Sequence, residues 1–192
     1  MPVNFSSYLA QTITVFEKTI KAGLDAPINE AIDKISTALG QSKALLVCGN
    51  GGSAADAMHI SGELVGRFLL ERPALKVIAL PANTVSLTAW ANDYSYETVF
   101  SRQTEGYGEK GGVLWGISTS GNSPNIIAAL QQARSMGMTT IGLTGEAGGK
   151  MAPLCDILIA VPSKITPRSQ EAPICISPYI CEEVEKRLKS LT

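Results

Sequence analysis

Five short apolar runs, separated by helical patterns, set the strongest limit on what this chain can fold into. They are ALLVC (44–48), KVIAL (76–80), VLWGI (113–117), TTIGL (139–143) and DILIAV (156–161). None alternates apolar with polar residues, so each reads as a strand covered on both faces. Apolar residues at spacings of three and four fill much of the intervals, the period of a helix that buries one side. Covered strands alternating with helices predict a parallel sheet between two helical layers. Ahead of the first run, Phe5, Tyr8, Leu9, Ile13, Phe16 and Ile20 keep helical spacing over residues 5–22, and PINEAIDKISTAL (27–39) does the same. The expected architecture is one domain spanning 1–192. It has two N-terminal helices within 1–41, and a three-layer α/β/α sandwich over 42–192 with a five-stranded parallel sheet and a C-terminal helix.

Composition narrows the function. A length of 192 residues suits one domain with a full core. The formal net charge is −1 and the Lys and Arg residues are scattered, so no nucleic-acid footprint is predicted. No apolar run approaches the ~18 residues of a membrane span. The first residues, MPVNFSSYLAQTITVFEKTIKAG, are amphipathic and lack the basic and apolar segments of a signal peptide. The expectation is a cytoplasmic protein with no membrane partner. Cys48, Cys155, Cys175 and Cys181 form no CxxC pair, and three of them sit among apolar neighbours, so all four are expected as buried, reduced thiols.

Ligands of open parallel sheets bind beyond the carboxyl ends of the strands. The turns there are GNGGSAAD, PANTVSLTAWAND, STSGNSPN and TGEAGG, all rich in Gly, Ser, Thr and Asn. STSGNSPN (118–125) offers hydroxyls and backbone N–H groups just before a helix, a neutral cradle for a phosphate dianion. It has no lysine, so it is not a nucleotide P-loop. By itself it reads equally as a Ser-rich helix cap without a ligand. GNGGSAAD (49–56) is a second turn of the same kind. It opens a helix on which His59, the only histidine of the chain, and Glu63 stand four residues apart on one face.

Taken in order and spacing, CGNGGSAADAMH, GELVGRF, WANDYSYETVFSRQ, GISTSGNSPN and LTGEAGG resemble the sugar isomerase (SIS) domain family, and within it the bacterial phosphoheptose isomerases. The resemblance covers nearly the whole chain. It implies a homotetramer with active sites shared between subunits. It also implies conversion of sedoheptulose 7-phosphate to D-glycero-D-manno-heptose 7-phosphate, which supplies heptose for lipopolysaccharide or related glycans. Residue by residue, Asn50, Gly51 and Gly52 match the family's substrate loop, and Asn92 and Asp93 a second sugar contact. Ser118, Thr119, Ser120 and Ser123 match the phosphate cradle. His59, Glu63 and Gln170 match zinc ligands, with Glu63 also the catalytic base and Gln170 beside the substrate.

The chain departs from the family near its end. QEAPICISPYICEEVEKRL (170–188) places Pro173 and Pro178 where the family has two histidines, the second being a zinc ligand and the partner acid/base. Proline ligates nothing and transfers no proton. Pro173 is expected near a helix start, where proline is tolerated, and Pro178 is expected to kink or break the helix. Cys175, Cys181 and Glu171 lie nearby, none at a matching position. Two alternatives to an active isomerase follow. One is a SIS protein that binds sugar phosphate without turnover. The other is one that binds a protein such as the replication initiator, a reading that the presence of Glu63 disfavours.

Overall fold

The computed structural model describes residues 4–146, 148–163 and 166–190. Two helices, α1 (Phe5–Lys21) and α2 (Asp25–Gly40), precede β1 (Leu45–Gly49), α3 (Gly52–Val65), β2 (Val77–Ala79), α4 (Thr84–Asp93), α5 (Val99–Tyr107) and β3 (Val113–Ser118). Then come α6 (Pro124–Ser135), β4 (Thr139–Thr144), β5 (Ile157–Ala160) and α7 (Thr166–Lys189). The five strands form one sheet in the order β2-β1-β3-β4-β5, and every neighbouring pair is parallel. All five apolar runs became strands.

Successive side chains of a strand point to opposite faces, and the two cores divide accordingly. Leu45 and Val47 of β1 join Trp115 and Ile117 of β3 under α2, α3 and α7. Leu46, Cys48 and Leu114 face the other way, under α5 and α6. No helix among the described residues is long and apolar enough to cross a membrane. α1 differs from the other long helices. None of its residues is buried, and Phe5 and Ile20 are 73% and 80% exposed.

Three expectations need correction. α7 begins at Thr166, so Pro173 lies well inside the helix and not near its start. The break expected at Pro178 is absent, because α7 is one helix from Thr166 to Lys189 with both prolines inside it. The reason is packing. Ala172, Ile176, Ile180, Val184 and Leu188 form one buried stripe, and their burial outweighs the lost hydrogen bonds. Ile174, whose carbonyl Pro178 leaves unbonded, lies on the exposed side. The cysteines also differ from expectation. All four are free, and Cys48 and Cys181 are buried, but Cys155 is half-buried and Cys175 is exposed, turned outward by the helical phase of α7.

A proline in a helix interior costs about 3 kcal/mol relative to alanine. Pro178→Ala is therefore expected to stabilise the protein by about 1–3 kcal/mol, read from the urea midpoint. An unchanged or lower midpoint would show that the helix accommodates the proline without cost.

Candidate active site

The strand order reverses between β1 and β3, which lie side by side although they are the first and third strands of the chain. Such a switch point opens a crevice beyond the carboxyl ends of the two strands. The turns after β1 and β3 line it from either side. Across it, the side chains of Asn50 and Asn125 exchange two hydrogen bonds of 2.8 and 2.9 Å, and the Tyr96 hydroxyl donates to Asn50 Oδ1 at 2.9 Å. Asn50 is thus fixed by the start of α6 and by the stretch that follows α4. Neither Asn125 nor Tyr96 was singled out from the sequence. Their motifs were visible, but the pairing of residues 75 positions apart was not.

The turn after β3 is rigid. Ser118 and Ser123 Oγ lie 3.0 Å apart, and Ser120 Oγ accepts from Asn122 N–H. The turn is braced by the loop after β4, since Thr119 C=O accepts from Gly145 N–H and Gly121 C=O from Met151 N–H. Ser123 is the residue before α6, and its side chain makes no capping bond to the helix. Pro124 has no N–H, and the Ile126 and Ile127 N–H groups donate to the Ser123 carbonyl, so the start of α6 leaves the Asn125 N–H beside the hydroxyls. Asn92 and Asp93, at the end of α4, are both exposed and hydrogen-bonded to each other at 2.9 Å. No described contact joins them to Asn50 or to the serines. Trp90 stacks on Tyr94 at 4.1 Å, and the Arg102 guanidinium lies 4.8 Å above the Trp90 ring.

His59 and Glu63 lie on one face of α3, as their spacing predicts, with His59 Nε2 2.9 Å from Glu63 Oε1. Gln170 comes to the start of the same helix, where a Cβ on Gly52 would lie 2.5 Å from its amide nitrogen. The missing side chain at 52 gives the flexible end of Gln170 room for that approach. Further along, the Glu63 carboxylate is close enough to Cys181 to reinforce burial in pushing that thiol up to about 12. Beyond Cys181, Glu185 bonds the backbone of 68–70. α3 and α7 therefore run side by side in the same direction. Pro178 comes near the level of His59.

The donor set does not fit the four-coordinate zinc that the family resemblance implies. Among the described residues no three His, Cys, Asp or Glu side chains come together to hold a metal. His59 and Glu63 are engaged with each other, and Pro178 supplies no donor. The Gln170 amide lies at Gly52, two turns and about 10 Å of helix rise before His59.

Comparison with known proteins agrees with this geometry. Residues 7–145 match the SIS domain. The chain is 45% identical over 184 residues to the phosphoheptose isomerase of Burkholderia pseudomallei, covering 93% of each chain. It is 47% identical over 181 residues to that of Clostridium acetobutylicum, covering 94% of this chain and 92% of the relative. Among solved structures, the phosphoheptose isomerase of Neisseria gonorrhoeae superposes with a TM-score of 0.88 at 38% identity, over 94% of this chain and 96% of the other. That of Francisella tularensis superposes with a TM-score of 0.90 at 32% identity, again over 94% and 96%.

Proposed function

Since the chain belongs to the SIS domain family, we propose that it is an aldose–ketose isomerase acting on a heptose 7-phosphate, interconverting sedoheptulose 7-phosphate and D-glycero-D-manno-heptose 7-phosphate. The observation that carries this reading is the β1/β3 crevice, where a fixed Asn50 faces a braced Ser-rich turn and the helix leading out of the crevice carries a carboxylate. Ser118, Thr119, Ser120 and Ser123, with the Asn125 N–H at the start of α6, hold the phosphate. Asn50, Gly51 and Gly52 bind the sugar, with Asn92, Asp93 and Gln170 as further contacts.

Glu63 acts as the base. It takes the proton from the carbon beside the carbonyl and returns it to the neighbouring carbon once the enediol has formed. The proton exchange between the two oxygens needs a second group, and at the matching position of α7 this chain has Pro178, which has none to give. No step is assigned to zinc. The purified chain is expected to carry zinc well below one ion per chain, and Pro178→His, which adds a donor on α7, to raise the content toward one. Elemental analysis reads both, and a full equivalent in the unmodified protein would contradict the donor argument.

The exposed apolar side of α1 supports assembly of four copies, with the helix buried between subunits. The test of the function is turnover of sedoheptulose 7-phosphate by the purified protein. Formation of the aldose supports the isomerase. Tight binding of the sugar phosphate without turnover would support the second reading, a binding protein that keeps the cradle, which Pro178 favours.

A further inference from the structure

We infer that Arg72 and Glu185 form a buried clamp that positions Glu63, a role that rests on Glu63 being the catalytic base. Neither residue belongs to a recognised motif of the crevice, and both are withdrawn from solvent, with side chains 3% and 0% exposed. Arg72 Nη2 donates to the Glu63 carbonyl at 2.9 Å, and Nη1 donates to the carbonyls of Gly66 at 3.2 Å and Pro73 at 3.1 Å. The last carbonyls of a helix have no partner within it. Here the guanidinium fork takes up two of those at the end of α3, where the helix dipole also favours a cation.

Arg72 Nε lies 3.1 Å from Glu185 Oε1, a charge contact in which the N–H is not aimed at the oxygen. The Glu185 carboxylate instead accepts from three consecutive backbone N–H groups, Phe68 at 3.0 Å, Leu69 at 2.7 Å and Leu70 at 2.9 Å. Burial would raise the Glu185 pKa, but these three donors and Arg72 outweigh it and hold the carboxyl below its usual range. Glu185 is on α7 and Arg72 reaches the last turn of α3, so the pair ties the two helices together at that end. At the other end the Gln170 side chain lies against Gly52.

Buried ion pairs are often replaceable by apolar residues without loss of stability. What this pair supplies is geometry. An apolar pair would fill the space but would leave the end of α3 free to fray, and Glu63 sits in that last turn. Small displacements of a reacting group cost large factors in rate. Arg72 and Glu185 touch no substrate, so they are positioning residues.

The test uses Arg72→Lys, which keeps the charge but loses the fork, and the double variant Arg72→Met with Glu185→Leu, which removes both charges and leaves none unpaired. In folded protein, Arg72→Lys is expected to lower kcat about 10-fold with KM within about twofold, and the double variant to lower kcat about 100-fold. A second readout needs no turnover. His59 is the only histidine, so its ring resonances are unambiguous and report its contact with Glu63. They are expected to move toward those of Glu63→Ala in both variants. Unmoved His59 resonances in folded variants would overturn the clamp, whether or not kcat falls, because any loss would then arise elsewhere. If the unmodified protein shows no turnover, the isomerase reading alone fails. The His59 resonances still decide whether the clamp holds Glu63.

Discussion

Glu63→Gln is expected to lower kcat by about 10²–10⁴-fold, the range that a positioned general base contributes. The substitution keeps the size of the side chain and removes its ability to take a proton. In the proposed site, affinity for the sugar phosphate rests on the turn after β3 and is expected to change little. Steady-state turnover together with calorimetric titration separates the two quantities. A variant retaining a tenth of the activity would remove Glu63 from the proton-transfer step. A variant that lost binding as well would make the carboxylate a substrate contact first.

The other large effect is expected at Gly121, in the proposed phosphate turn. Its φ is +66°, which disfavours any side chain, and a Cβ there would lie 2.1 Å from the Gly148 carbonyl oxygen. That neighbour is backbone, so the turn after β3 and the loop after β4 must separate to admit a methyl group. Gly121→Ala is expected to cost about 1–3 kcal/mol of stability. It should also weaken sugar-phosphate binding about 10- to 100-fold, because one or more charge-assisted hydrogen bonds to the phosphate lose their geometry. Gly106→Ala is the control, since it lies in α5 with nothing within 4 Å of the added atom, and it should leave affinity unchanged. Equal affinity in the two variants would place the phosphate elsewhere.

The two prolines that stand where the family resemblance implies histidines have a local physical meaning. The contacts of Cys181 and Glu185 along α3 and beyond it put Pro178 near the level of His59, with a ring that neither binds metal nor carries a proton. The helix survives because its inner stripe is buried from Ala172 to Leu188. The fold around the site is therefore preserved while one chemical group is absent. Comparing the turnover of this chain with that of Pro178→His separates these two effects directly.

The sequence by itself determined much about this protein. Five short, mainly apolar runs between helical patterns read as strands covered on both sides, and each became a strand of a parallel sheet. The His59–Glu63 pair was legible because helical spacing is local, and the Ser-rich turn because its hydroxyls are consecutive. The tertiary structure decided what depends on distant residues. The strand order placed the turns after β1 and β3 on one crevice, and Asn125 and Tyr96 reached Asn50 across it. The course of α7 beside α3 brought Gln170 to Gly52 and Glu185 to the loop that ends at Arg72. Local propensity forecast a kink or break at Pro178, but propensity counts hydrogen bonds within one segment, whereas the burial that keeps α7 one continuous helix through both prolines is supplied by neighbours far away in the chain.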